Sequence, residues 1–562
     1  MHKLLGIYLK RKKNFFDGEF SEVIETVKKL CNPKNDNTYS SKNFFLMSYC
    51  DSDDEIAYII NDNILYSYSG YVYFHESPNS SKSIDRQRLE KMTKKNKLTV
   101  DNIEGNYNIV KYDLKKNKLS IQSDMLGLNV LFCYEDKNVF MFCSDYEPLV
   151  KYNGNKYKID VDAIYEYVMV KAPHNCRTFF KDISIFPRNK TYYVGQYFSR
   201  YKSGKRIKIK YSDCSVSEIT EKYFNALKET VNCMSEWYPD VPVCLTGGAD
   251  TRMILGCMSE KERARHTFIT IRNRNIEDCD NQDVVIARKL AEKYGLKHET
   301  INYELSGMSS IDNAYFERLF TSGSYAISGF CGSETTDLQQ SKWFMSEICM
   351  NIIGTKNNRH SKDILKETVL KEHKYLNNGS LTFRKLRKDI LSTFGRTDLA
   401  NKLELYIPMF FFRSFLGCHW GGARGNSLMP GITNRHYLSP FVSKNCIYVL
   451  CSSNEDYLGE GANDVRNLIF KNFLFDYTDI ESNSNLCDNK NCVLNRTKLS
   501  KDQKDFFNIN YENIDHIFYN EYTRSLNVFN MNQIKTDYYD NRKEDSYVYL
   551  DLLLWFNYVS TI

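Results

Sequence analysis

The rhythm of apolar and polar positions changes near residue 215. Before about residue 205 the chain is built from short aromatic and β-branched runs: Leu65–Phe74, Tyr107–Tyr112, Leu119–Gln122 and Val139–Cys143. Polar turns such as Asp113–Asn117 and Glu135–Asn138 separate them, which predicts hairpins and a mostly antiparallel sheet. After Ser215 the apolar residues Ile219, Phe224, Leu227, Val231 and Met234 fall on one helical face. A strand Val241–Leu245, a helix from Thr251, a strand His266–Ile271, a helix Gln282–Tyr294 and a strand Lys297–Ile301 follow. Strands alternating with helices predict a parallel sheet covered on both faces. From about 305 to 562 the pattern is mainly helical, with a polar stretch at Glu481–Gln503. The apolar run Tyr547–Ile562, broken by Asp551 and Asn557, reads as a packed terminal helix, too short for a membrane span. The expected class is α/β: a mostly antiparallel α+β half over 1–205, then an α/β domain with a parallel sheet and a helical extension over 206–562.

Composition narrows the class of function. At 562 residues, a prior of roughly 150 residues per domain allows three or four units, or two larger ones. With 76 basic and 70 acidic residues the formal charge is +6, so nucleic acid is not the default partner. Basic clusters such as Lys10–Lys13 and Lys205–Lys210 read as solvated faces or strand edges. Seventeen cysteines stand in no repeating frame, which disfavours a disulfide scaffold and points to a reducing compartment. Cys487 and Cys492 lack the second pair that a zinc site needs. The N-terminal apolar stretch is too short for a signal peptide, so the expectation is a soluble cytoplasmic protein without membrane partners.

The densest chemistry lies in Val241–Leu255. An apolar strand runs into Thr246-Gly247-Gly248-Ala249-Asp250-Thr251 and then into a helix. Such a turn points backbone N–H groups and a helix N-terminus at one place, which suits an anion. The spacing is neither the Walker type nor the dinucleotide glycine pattern. It resembles the Ser-Gly-Gly-x-Asp-Ser pyrophosphate loop of the N-type ATP pyrophosphatases, with threonine keeping both hydroxyls.

Three more stretches extend the resemblance. Glu104–Asp113, Ser123–Phe132 and Phe142–Asp145 resemble the second half of the class II glutamine amidotransferase domain, a two-sheet sandwich in asparagine synthetases. Thr267–Ile271, Asp283 and the helix running to His298 resemble the second βαβ unit of the synthetase domain. Arg413–Trp420 and Gly431–Phe441 resemble that family's late segment. The chain is therefore similar to the asparagine synthetase family over most of its length. It departs at position 2, which is His where the family's nucleophilic cysteine would stand, and its first cysteine is Cys31. That departure implies a silent glutaminase half, as in the β-lactam synthetases and lasso-peptide cyclases, in whose divergent members Arg252 also recurs.

The resemblance implies an ATP-dependent carbon–nitrogen ligase. It would adenylate a small-molecule or peptide carboxylate, release AMP and pyrophosphate, and let an amine or ammonia form the amide. Thr246, Gly247, Gly248, Ala249, Asp250 and Thr251 would hold the diphosphate, and the strand at Thr270 would line the adenine. Mg2+, which prefers hard oxygen ligands, would take Asp250 and, as second acid, Glu347, with Glu334 as its rival. Glu347 and Lys498, the latter in Asn495-Arg-Thr-Lys498, are the candidate catalytic residues, and a mobile stretch around Lys498 would suit a lid. An asparagine synthase-type amidotransferase and an ATP-binding pseudoenzyme are the alternatives. A homodimer is left open, and the carboxylate and amine are not fixed.

Overall fold

The computed structural model describes residues 3–11, 17–30, 37–49, 58–79, 83–93, 103–152 without 126 and 128, and 158–203 without 171–175 and 188. It further describes 214–273, 282–305, 333–334, 343–345, 374–377, 384–388 without 387, 436–452, 465–480, 515–540 and 547–561. Two six-stranded antiparallel sheets open the fold. In the first, Ile183–Ile185, Phe132–Glu135, Val139–Cys143, Lys3–Leu9, Phe44–Tyr49 and Asn37–Ser40 lie side by side. In the second, the order is Phe198–Ser203, Lys190–Gly195, Lys118–Ser123, Glu104–Asp113, Ile64–Tyr73 and Ile59–Asn61.

The expected turns form for local reasons. Asp113 Oδ1 accepts the N–H groups of Lys115 and Lys116, and Asn117 takes the left-handed conformation at φ 50°. Asp136 Oδ1 does the same for Asn138 and Val139. Short polar side chains that mimic a backbone acceptor favour such turns. Between the paired strands Ile59–Asn61 and Ile64–Tyr73, both Asp62 and Asn63 have positive φ, as a two-residue hairpin requires.

Strand alternation then sorts the side chains into layers. Leu4, Tyr8, Phe44, Leu46, Phe140 and Phe142 turn toward Leu65, Val110, Leu119 and Ile121 of the second sheet and close the sandwich core. Leu5, Ile7, Leu9, Met47 and Met141 turn the other way. That outer face is covered by Phe20, Val23 and Val27 of the Asp17–Leu30 helix and by residues from far along the chain, among them Phe518, Phe529, Leu550 and Leu553. Packing thus crosses the expected 205/206 boundary: the Tyr547–Thr561 helix sits with the N-terminal sheet.

The 22-residue helix Val216–Trp237 begins at a capping box in which Ser215 and Glu218 satisfy each other's backbone N–H. Its buried face meets the back of the second sheet. Trp237, fully buried, donates its indole N–H to Phe74 O at 2.9 Å, and Tyr238 Oη bonds both backbone groups of Val72. A third sheet follows in the order Ser333–Glu334, His298–Leu305, Phe268–Asn273, Val243–Cys244, Trp343–Met345 and His436–Leu438. All neighbours are parallel except the first pair. Beyond 305 the described residues are mainly helical, as expected, but 343–345 and 436–438 add to the parallel sheet two strands that the sequence did not announce. They are three residues each, too short to show a period of two. Among the described residues no helix is long and apolar enough to cross a membrane.

Candidate functional site

Strand order reverses at Val243–Cys244. The chain goes from there to Phe268–Asn273 and His298–Leu305 on one side, and later to Trp343–Met345 and His436–Leu438 on the other. In open α/β sheets such a reversal leaves a crevice at the carboxyl ends of the two diverging strands, where ligands bind. The Thr246–Thr251 turn leaves the first of those strands, with Val243 paired to Phe268 on one side and to Met345 on the other.

The turn is held by its own hydroxyls. Thr251, fully buried, accepts Thr246 N–H at 3.0 Å and lies 3.2 Å from Thr246 Oγ1, which itself accepts Gly248 N–H at 3.1 Å. Gly248 caps the Ala249–Cys257 helix in an extended conformation with no side-chain cap. The N-cap thus offers the first-turn N–H groups of that helix no side-chain acceptor, and the helix dipole adds to their pull on an anion.

Two acids flank this terminus. Asp283 Oδ1 accepts Gly247 N–H at 2.8 Å, so a carboxylate of the chain itself already rests on the turn. Asp250, in the helix's first turn, lies 2.8 Å from Arg466 Nη2. Its Oδ1 is nevertheless buried without an aligned hydrogen bond. The contact is coulombic in the main.

Arg252 fastens the turn from behind. Its guanidinium, 2% exposed, donates to Gly247 O at 3.2 Å, to Tyr477 O at 3.0 Å and to Ile480 O. Tyr477 stacks on Tyr294 with ring centroids 4.7 Å apart and takes a hydrogen bond from Arg263. A segment around 474–480 is thereby bound across the helix that starts at the turn.

The other expected residues fare unevenly. The Thr270 hydroxyl is buried, donates to Leu245 O at 2.6 Å and lies 2.8 Å from His298 Nε2. It ties neighbouring strands together, and burial together with Arg288 pulls the His298 imidazole pKa down. Glu334, the rival second acid, belongs to the outermost strand, three strands from Val243–Cys244. Glu347 and Lys498 lie outside the described residues, as do Arg413–Trp420 and the Cys487–Cys492 pair. Trp343–Met345, beside Val243, ends two residues before Glu347. Among the described residues no three His, Cys, Asp or Glu side chains converge as a metal site. Asp283 and Arg466 were given no role by the sequence; nothing local to Arg466 signals one.

In the N-terminal half, the motif acids build structure. Asp124, 1% exposed, accepts the N–H groups of Tyr107 and Gly127, and Asp145 accepts Tyr49 Oη at 2.6 Å and pairs with Lys3. Burial pushes the Cys133 thiol pKa well up and that of Cys143 to about 12, so neither is a ready nucleophile. Part of this two-sheet half matches a known domain family.

Residues 87–202 match the glutamine amidotransferase domain family.

The match takes in most of the second sheet and part of the first. No curated protein matches the chain. Among solved structures, a glutamine phosphoribosylpyrophosphate amidotransferase from B. subtilis, complexed with ADP and GMP, is similar at 8% identity and a TM-score of 0.23, covering 53% of this chain. This chain spans 65% of that structure's length. The allosteric regulatory enzyme of purine biosynthesis is similar at 7% identity and a TM-score of 0.25, with 55% of this chain and 76% of that one covered. At such scores neither likeness bears on function.

Proposed function

We propose that the chain is an ATP-dependent ligase that activates a carboxylate and joins it to an amine or ammonia, its amidotransferase-type half being glutaminase-silent. The observation that carries this is the helix N-terminus at Ala249, without a side-chain cap and set where the strand order of a parallel sheet reverses. Residues present fit both parts of a magnesium nucleotide. The N–H groups of Ala249 and Asp250 suit phosphate oxygens, and the buried Oδ1 of Asp250 suits a hard cation. When bound, ATP would supply the leaving group that a carboxylate lacks. Thr246 and Thr251 keep the turn in shape, Arg252 holds the Gly247 carbonyl, and Asp250 would hold the cation that offsets the phosphate charge.

ATP–pyrophosphate exchange across a library of carboxylic acids tests this. Exchange with at least one acid is expected, and Asp250→Asn should abolish it while leaving the fold intact. Asp250→Asn that still exchanges would overturn the assignment of the turn. A second reading, an ATP-binding pseudoenzyme, is favoured by one observation: Asp283 and Arg466 already engage the turn and its acid. ATP binding without exchange for any acid would decide for it.

A further inference from the structure

The ion pair between Asp250 and Arg466 is badly matched for a permanent one. The two side chains are 27% and 25% exposed, and at 2.8 Å the carboxylate oxygen still accepts no aligned hydrogen bond. Partly exposed pairs of this kind are easily exchanged for other partners. Yet the guanidinium is delivered there by a rigid scaffold. Val465 and Ile469 of the Val465–Asn472 helix are fully buried, Phe473 stacks on Phe224 at 4.6 Å, and Leu474 seats where a methyl on Gly256 would overlap it. Gly256 is the residue that lets the Ala249–Cys257 helix approach this segment so closely.

Charge at the turn gives the guanidinium its purpose. Asp250 and Asp283 both stand at a terminus meant for an anion. A phosphate arriving there meets two carboxylates, and its own charge makes the repulsion worse unless cations intervene. Arg252, which is close by, has its guanidinium turned to backbone carbonyls. We propose that Arg466 is a phosphate-binding residue of this site: it leaves Asp250 to a divalent cation and closes on the phosphate oxygens of the ligand. A planar guanidinium offers two parallel N–H groups to a phosphate, which an ammonium cannot. This rests on the reading of the Thr246–Thr251 turn as a pyrophosphate site.

The test is calorimetric titration of the full chain with inorganic pyrophosphate, with and without Mg2+. Wild type is expected to bind, more tightly with Mg2+, and Asp250→Asn to lose the Mg2+ dependence. Arg466→Gln should weaken binding on the order of 10- to 100-fold, the loss of a charge-assisted hydrogen bond or two, and Arg466→Lys should restore part of it. Should the Gln variant melt early, the Lys variant, which keeps the charge and loses the fork, carries the comparison with a several-fold loss. Absence of binding by wild type brings down the reading of the turn itself. Binding by wild type that both Arg466 variants match leaves that reading standing and refutes the role of Arg466.

Discussion

Replacing Arg252 with Met keeps a side chain of similar length and removes the guanidinium that ties the turn to residues 477–480. Three carbonyls, of Gly247, Tyr477 and Ile480, lose this donor in a place where Arg252 is 2% exposed. A buried acceptor left without its donor costs about 1–3 kcal/mol. Release of the guanidinium, whose burial lowers its own pKa, offsets part of that sum. A net loss of about 2–4 kcal/mol remains for the local contact, non-additivity included. A global melting curve of a protein this large is not two-state, so the measurement is hydrogen exchange of the amides that the tie protects. Tyr477 N–H donates to Leu474 O at 3.0 Å and Thr478 N–H to Phe475 O at 2.9 Å. Local opening should speed their exchange roughly 30- to 1,000-fold, each 1.4 kcal/mol being a factor of ten. The amide of Tyr238, bonded to Met234 O on another element, should be unchanged. Arg252→Lys should fall between, since an ammonium reaches fewer of the three carbonyls. If the 477 and 478 amides of Arg252→Met exchange within twofold of wild type, the guanidinium does not hold this segment and the argument fails.

Other outcomes follow from single contacts. Asp283→Asn keeps an oxygen near Gly247 N–H and removes the charge that an incoming anion faces, so pyrophosphate affinity by calorimetry should rise on the order of 10-fold; weaker binding would mean that Asp283 shapes the turn instead of occupying it. His75 lies 3.0 Å from Glu229 and 3.9 Å from Glu104, and its hydrogen bonds to Cys233 and Glu104 raise its pKa from 6.5 to about 10. Because the folded value is the higher one, its contribution is full below pH 6.5 and is lost as pH climbs through about 10; His75→Gln should flatten that part of the melting temperature's pH dependence. Gly6 faces Phe142 across the first sheet, and a methyl there would overlap the ring. Gly6→Ala should destabilise by about 1–3 kcal/mol or more, with recovery of thermal stability in Gly6→Ala/Phe142→Leu; a stable single variant would show that the ring can move.

Much of the fold was legible because it is written in short-range patterns. The aromatic and β-branched runs at Val139–Cys143 and 104–113 and the polar turns at Asp113–Asn117 and Glu135–Asn138 each act on their own neighbours, and each forms as read. The helix Gln282–Tyr294 appears with the expected bounds. Strand ends shifted instead: Val241–Leu245 narrows to Val243–Cys244, although Leu245 N–H still donates to Ile269 O at 2.8 Å. Of the candidate site, the Thr246–Thr251 turn was legible, since glycine, hydroxyl and helix start are adjacent in the chain.

What surrounds that turn was not. Asp283 and Arg466 reach it only because the parallel sheet, the Gly256–Leu474 contact and the Phe224–Phe473 stack bring distant segments together. The strands 343–345 and 436–438, which create the reversal in strand order, are too short to declare themselves alone. The covering of the first sheet by the 547–561 helix joins the two ends of the chain through apolar area that any amphipathic helix offers equally well. The sequence by itself determined most of the longer strands, helices and turns, because periodicity and turn chemistry are settled within a few residues. Only the tertiary structure decided which side chains face the turn, because that depends on shape complementarity between segments whose separation along the chain carries no signal.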